Sequence, residues 1–263
     1  TFPLTLNARH WTLICVLFAW TNANDQAQAE TLHHWRFEDS PGFLEDSVGS
    51  ATLSPRNVVP YEIPIDGPAS SFLANSQNTG AVRPEATLAG LLANDSTSVD
   101  DSFTIELFAN FDDLSVPAGT TNRRAVMAAQ AEVPWEASQF SWAFVVEMSG
   151  GWNAGRGQSQ PRELELFLSN GADFELVPSG IFIEDNVDYF LSASFDVQDT
   201  ARFYVENLES NDVMRAEVQH SRSSLNPDSV FNVFAPYSFA YFDGVIDEVR
   251  FSRGVLDESD LLI

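Results

Sequence analysis

The chain has 263 residues, with 38 acidic side chains against 13 basic ones, every one of them Arg, for a formal net charge of −25. That charge excludes nucleic acid and anionic membrane as natural partners, because polyanions are repelled and few cations are present to replace their counterions. Apolar residues make up 44% and Phe alone numbers 21, enough to fill a core, which excludes wholesale disorder.

In chain order, Arg9 and His10 precede the apolar run Trp11–Trp20, and a polar stretch then ends in Ala27-Gln28-Ala29. This order reads as a secretory signal over residues 1–29, cleaved after Ala29, leaving a domain over 30–263 in a secreted, periplasmic or cell-surface setting. The run is about half the length that a transmembrane helix needs, so no membrane span is expected. Cys15, the only cysteine, lies inside it. The mature chain is therefore expected to use no disulfide, thiol nucleophile or zinc–thiolate site.

From Glu30 onward the pattern is one of short strands. Phe103–Phe111 alternates, with Phe103, Ile105, Leu107, Ala109 and Phe111 on one face; Thr104, Glu106 and Asn110 share the other with Phe108. Phe140–Met148, Glu163–Leu168, Tyr189–Phe195 and Ala201–Val205 alternate likewise, separated by turn-rich stretches such as Ser149-Gly150-Gly151. Helix signals are few: two turns over Glu85–Ala93, and one over Asp257–Leu262 with Asp257 at its start. The expected architecture is all-β, a two-sheet antiparallel sandwich that buries the Phe-rich faces between its layers. In the closing stretch Phe242–Ser252, alternation puts Asp247 on the face of Val245, Val249 and Phe251, and Ile246, Glu248 and Arg250 on the other. A carboxylate on an apolar face must be paired, hydrogen-bonded or metal-bound.

That closing stretch, Phe242-Asp243-Gly244-Val245-Ile246-Asp247-Glu248-Val249-Arg250-Phe251-Ser252, resembles the last strand of the laminin-G-like domains of the concanavalin A-like lectin/glucanase superfamily. Trp35-Arg36-Phe37-Glu38 with Asp46-Ser47-Val48-Gly49, Phe103-Thr104-Ile105-Glu106, and the segment from Asp188 to Val205 resemble earlier family strands in the same order. The family's usual histidine in the first central strand is missing; Phe190 or Leu191 stands there. The resemblance spans about residues 32–262 and implies a jelly-roll sandwich. It also implies a calcium ion at the sandwich rim, for which Asp46 and Asp247 are the candidate ligands, with Glu38 and the carbonyl of Gly244 as additions. The alternative is that turn N–H groups satisfy Asp247.

No glucanase E-x-D-x-x-E strand occurs. Glu163 and Glu165 come nearest, two carboxylates on one strand face, which read as an exposed charged face or as a carboxylate pair for glycoside chemistry. A polysaccharide-lyase likeness at Arg162, Gln219-His220 and Tyr189 fails on spacing and order, and Phe195 stands where a Tyr base is wanted. No phosphate loop or metalloprotease motif appears. The expectation is therefore a non-catalytic module that recognises a glycan or an extracellular protein. Loop aromatics and polar neighbours are its candidate ligand contacts: Trp135, Trp152, Asn153, Arg156 and Tyr241. The alternatives are a polysaccharide-degrading enzyme and a purely structural exported module.

Overall fold

A computed structural model describes residues 29–37, 44–56, 58–61, 81–84, 90–93, 101–116, 123–131, 140–149, 159–226, 230–234 and 242–263. These form fifteen strands: β1 (Glu30–Trp35), β2 (Leu53–Arg56), β3 (Val58–Tyr61), β4 (Ala81–Pro84), β5 (Gly90–Ala93), β6 (Phe103–Phe111), β7 (Arg124–Ala131), β8 (Phe140–Glu147), β9 (Glu163–Ser169), β10 (Phe174–Phe182), β11 (Asp188–Asp196), β12 (Thr200–Asn207), β13 (Asp212–Gln219), β14 (Phe231–Val233) and β15 (Gly244–Arg253). The proposed signal over 1–29 lies outside the described residues except for Ala29.

The strands make two antiparallel sheets. The first runs β13-β12-β11-β6-β15-β4-β3, with β1 added on β15; the second runs β10-β9-β8-β7-β14-β5-β2. Period-two alternation places one face of each sheet inward. Phe103, Ile105, Leu107, Ala109 and Phe111 of β6 all join the core, as do Trp142, Phe144 and Val146 of β8. Aromatic rings stitch the layers together. Trp142 of the second sheet stacks on Phe103 and Phe251 of the first, with centroids 4.7 and 5.5 Å apart. Trp35 of β1 stacks on Phe231 of β14 at 4.8 Å. Such pairs add ~0.5–1.5 kcal/mol each beyond the area they bury. The two-sheet antiparallel sandwich is thus the observed architecture.

Local departures have physical reasons. Phe108, apolar on a polar face, is buried in a satellite cluster with Phe190, Leu208, Val245 and Leu262, so the chain's end covers it. The stretch expected to be helical over Glu85–Ala93 ends instead in strand β5, which pairs with β2 and β14; two neighbours in a sheet override a weak helix preference. The closing turn is a short 3-10 helix at Glu258–Asp260, with Asp257 at its N-cap but without a side-chain cap bond. Among the described residues no helix is long and apolar enough to cross a membrane.

Candidate functional site

The junction of β1 with β15 holds the acids singled out in the sequence. Asp46 forms an isolated bridge with Trp35 on the edge of β1 opposite to β15. Its Oδ1 accepts the N–H groups of His34 (3.0 Å), Val48 (3.0 Å) and Gly49 (2.9 Å); its Oδ2 accepts the Ala51 N–H (3.3 Å) and meets His33 Nδ1 at 2.5 Å. Burial pushes the Asp46 carboxyl up, but the His34 amide, the His33 ring and the Gly49 and Val48 amides together outweigh it and hold the pKa below the usual value. Gly49 is required by this packing, since a Cβ there would strike the Asp46 carboxylate, the Leu32 carbonyl and His33.

Asp247 does not share a face with Val249 and Phe251. A bulge in β15 separates them: Asp247 pairs with Phe108, Arg250 with Glu106, and the extra residue Glu248 sits between at φ 46. One inserted residue inverts the alternation beyond it. Ile246, Val249 and Phe251 therefore enter the core, while Val245 and Asp247 share the outer face with Phe108. Asp247 is fully buried, and its Oδ1 accepts the Glu248 N–H at 2.8 Å. Glu248, also fully buried, pairs with His34 Nε2 (2.5 Å) and Arg36 (3.5 Å) rather than neighbouring Arg250. Arg250 instead forms a two-point pair with buried Glu106, at 2.5 and 2.8 Å.

These donors do not fit a calcium ion clamped between Asp46 and Asp247. β1 lies between the two acids, so about two strand spacings, ~10 Å, separate their backbones. Both Asp46 oxygens are occupied by N–H donors, whereas calcium needs six to eight oxygen lone pairs. Among the described residues no three His, Cys, Asp or Glu side chains converge as ligands. Gly244 has another role: at φ 150, its missing side chain allows close approach to the Asn110 carbonyl. Glu38, Trp135, Trp152, Asn153, Arg156 and Tyr241 lie outside the described residues.

Glu163 and Glu165 are not an exposed charged face. They are buried on the outer face of the second sheet with Glu147 and Arg124. Arg124 approaches Glu147 at 2.9 Å and lies over the Phe167 ring at 5.4 Å. Glu163 accepts the amides of Gln160 (2.8 Å) and Gly180 (2.9 Å), and so ties the lead-in to β9 to the irregular stretch of β10. Among the described residues neither oxygen of Glu165 meets a well-aligned hydrogen-bond partner, and the Ser159 hydroxyl stands beside it. Burial drives the Glu165 pKa to about 8; Ser159 and Arg124 pull back, while Glu147 and Glu163 add repulsion. Glu165 is therefore a neutral acid at pH 7. The lyase likeness has no counterpart, for His220 is buried against Phe195 with ring centroids 4.7 Å apart.

The sequence offered no signal for a groove on the outer face of the first sheet. Two ladder rows cross that face: Thr104, Ser194, Arg202 and Glu217 in one, and Glu106, Ser192, Tyr204 and Arg215 in the next. The middle strand β11 supplies only serines, so the surface dips along it. One wall is Arg202, Tyr204, Arg215 and Glu217; the other is the closing segment with Leu256, Glu258 and Leu261. Thr104 fixes that second wall, its hydroxyl donating to the Gly254 carbonyl (2.9 Å) and accepting the Leu256 N–H (3.0 Å). The hollow has a volume of about 260 Å³.

No family model matches the sequence, and no curated protein matches it either. Solved structures share its fold. Domain 4 of AbnA, an extracellular arabinanase from Geobacillus stearothermophilus solved in complex with arabinotriose, is similar with a TM-score of 0.56 and 13% identity, covering 88% of this chain and 96% of that one. The receptor binding domain of botulinum neurotoxin type G is similar with a TM-score of 0.54 and 11% identity, over 88% of this chain and 49% of that one. That of the C/D mosaic serotype gives 0.55 and 8%, again over 88% and 49%. The chain thus spans about half the length of the neurotoxin domains. At these identities the likeness defines the class of fold: a β-sandwich domain.

Proposed function

We propose that this chain is a non-catalytic recognition module of the laminin-G-like, concanavalin A-like sandwich type, acting outside the cytoplasm on a glycan or a protein. The groove on the outer face of the first sheet carries this assignment. It is a shaped, partly apolar hollow with convergent polar groups, the general character of a ligand site. Two of the similar structures support it by their nature: one was solved with arabinotriose, the other is a receptor binding domain. Trp135, Trp152, Asn153, Arg156 and Tyr241, which lie outside the described residues, are carried from the sequence as further proposed ligand contacts. Binding is favoured over turnover because both oxygens of Glu163 are held by amides and Glu165 is fully buried, so the nearest pair of carboxylates is engaged in the fold.

A glycan array run beside reducing-sugar and unsaturated-product assays tests this. The expected result is retention of a glycan without product. Turnover of any polysaccharide contradicts a non-catalytic module, and silence on both glycans and extracellular proteins leaves a structural role.

A further inference from the structure

The groove over β11 has a chemistry specific enough to name its ligand class. Its floor is Ser192 and Ser194, and no protein group among the described residues bonds either hydroxyl. Hydroxyls donate and accept, so they suit a ligand whose own groups do both. Its cations are already neutralised by neighbouring acids: Arg202 stands 3.5 Å from Glu217, and Arg215 binds Glu258 through two nitrogens, Nε at 2.8 Å. A charged ligand would have to break one of these pairs, and an anionic one would also meet the field of a chain of net charge −25. Leu256, Leu261 and the Tyr204 ring add apolar wall, which matches the C–H face of a sugar ring.

The Arg215–Glu258 pair has a second consequence. Arg215 projects from β13 and lies on the Tyr204 ring, 5.1 Å from its centroid, whereas Glu258 belongs to the closing turn on the opposite wall. Their ion pair therefore joins the two walls. Both ends are about half exposed, at 54% and 50%, so water screens the pair and its opening is easy.

We propose that this groove is a subsite for an uncharged sugar unit, held by the Ser192 and Ser194 hydroxyls between Tyr204 and the closing turn, with the Arg215–Glu258 pair as a strap between its walls. This rests on the recognition module proposed above and assigns it a ligand class and a location. The volume of about 260 Å³ lies just under the ~300 Å³ at which ligand clefts begin, which suits one or two sugar rings.

Calorimetric titration of the folded chain with arabinotriose, cellotriose and trigalacturonate tests the proposal, with Ser194→Ala, Ser192→Leu and Glu258→Gln as variants. The expected result is binding of a neutral trisaccharide, weakened about fivefold by Ser194→Ala, the worth of one hydrogen bond. Ser192→Leu, which fills the hollow, is expected to abolish binding, with an unchanged circular dichroism spectrum showing that the fold survives. Glu258→Gln is expected to accelerate dissociation. Neutral binding that survives both serine substitutions overturns the groove assignment and leaves the recognition module standing. Tighter binding of trigalacturonate overturns the uncharged class. Absence of binding to every saccharide here and on the array overturns the glycan arm of both proposals.

Discussion

A single inserted residue decides where the closing strand sends its charges. Glu248 occupies the left-handed region, a conformation that costs a non-glycine residue about 1–2 kcal/mol, and in return its carboxylate reaches His34 and Arg36. The F-x-G-x-I-D-E-V-R pattern was visible in the sequence, and so was the need to satisfy Asp247. The bulge was not, because period-two alternation carries no mark of an extra residue. Beyond the bulge, Arg250 answers Glu106, which is fully buried and also accepts the Leu262 N–H at 2.9 Å. Arg250→Met leaves that carboxylate buried without its cation and is expected to cost about 3–5 kcal/mol in urea unfolding. A loss below about 1 kcal/mol would show that the pair is dispensable. At Asp46 stability is linked to pH. Its pKa is held below the ordinary 3.8, so its stabilising effect is complete above that pH and is lost as pH falls through the lower folded value. Asp46→Asn should flatten the acid limb of the stability curve below pH 4, measured by thermal melts; an unchanged limb contradicts the clamp.

At the scale of elements, β6, β8, β9, β11 and β12 were legible because each alternates, with aromatic or β-branched residues inward in four of them and three leucines inward in β9. β7 was not: Arg-Ala-Val-Met-Ala-Ala-Gln-Ala has the composition of a helix, and its strand state comes from pairing with β8 and β14 on both edges. β13 is an edge strand whose outer positions, Arg215 and Glu217, are charged, so its inward Met214, Ala216 and Val218 give a faint signal. Glu163 and Glu165 of β9 could be read as a solvated face because the sequence does not reveal that this outer surface is buried. Their burial has a measurable consequence. Glu165 goes from an ordinary 4.5 to about 8 in the fold, so the folded chain holds this proton more tightly. That stabilising effect is complete below pH 4.5 and is lost as pH rises to 8, by up to ~1.4 kcal/mol per pH unit. Glu165→Gln keeps the shape without the ionisation, and melts between pH 5 and 9 should then be flatter and higher at the alkaline end. A variant that melts in parallel with the parent across that range would show that Glu165 stays charged.

The molecule as a whole is an aromatic-cored sandwich wrapped in negative charge. Its two-sheet architecture was readable because strand alternation and the turn-rich breaks between strands pointed the same way. The ligand surface was less readable. It depends on which residues fall side by side in a ladder, and only pairing brings Ser192 and Ser194 between Tyr204 and the closing turn. With 38 acids and 13 bases, like-charge repulsion works against compactness and is screened by salt. The melting temperature is therefore expected to rise by several degrees, ~5 °C, between low ionic strength and 0.5 M sodium chloride; a melt insensitive to salt contradicts net repulsion. The most direct test of the groove is an amide chemical-shift titration of the isotopically labelled chain with a neutral oligosaccharide. Shifts concentrated at residues 192–194, 202–204 and 254–261 are predicted; saturating binding with shifts confined to the second sheet, or to the β1–β15 junction, would contradict the account.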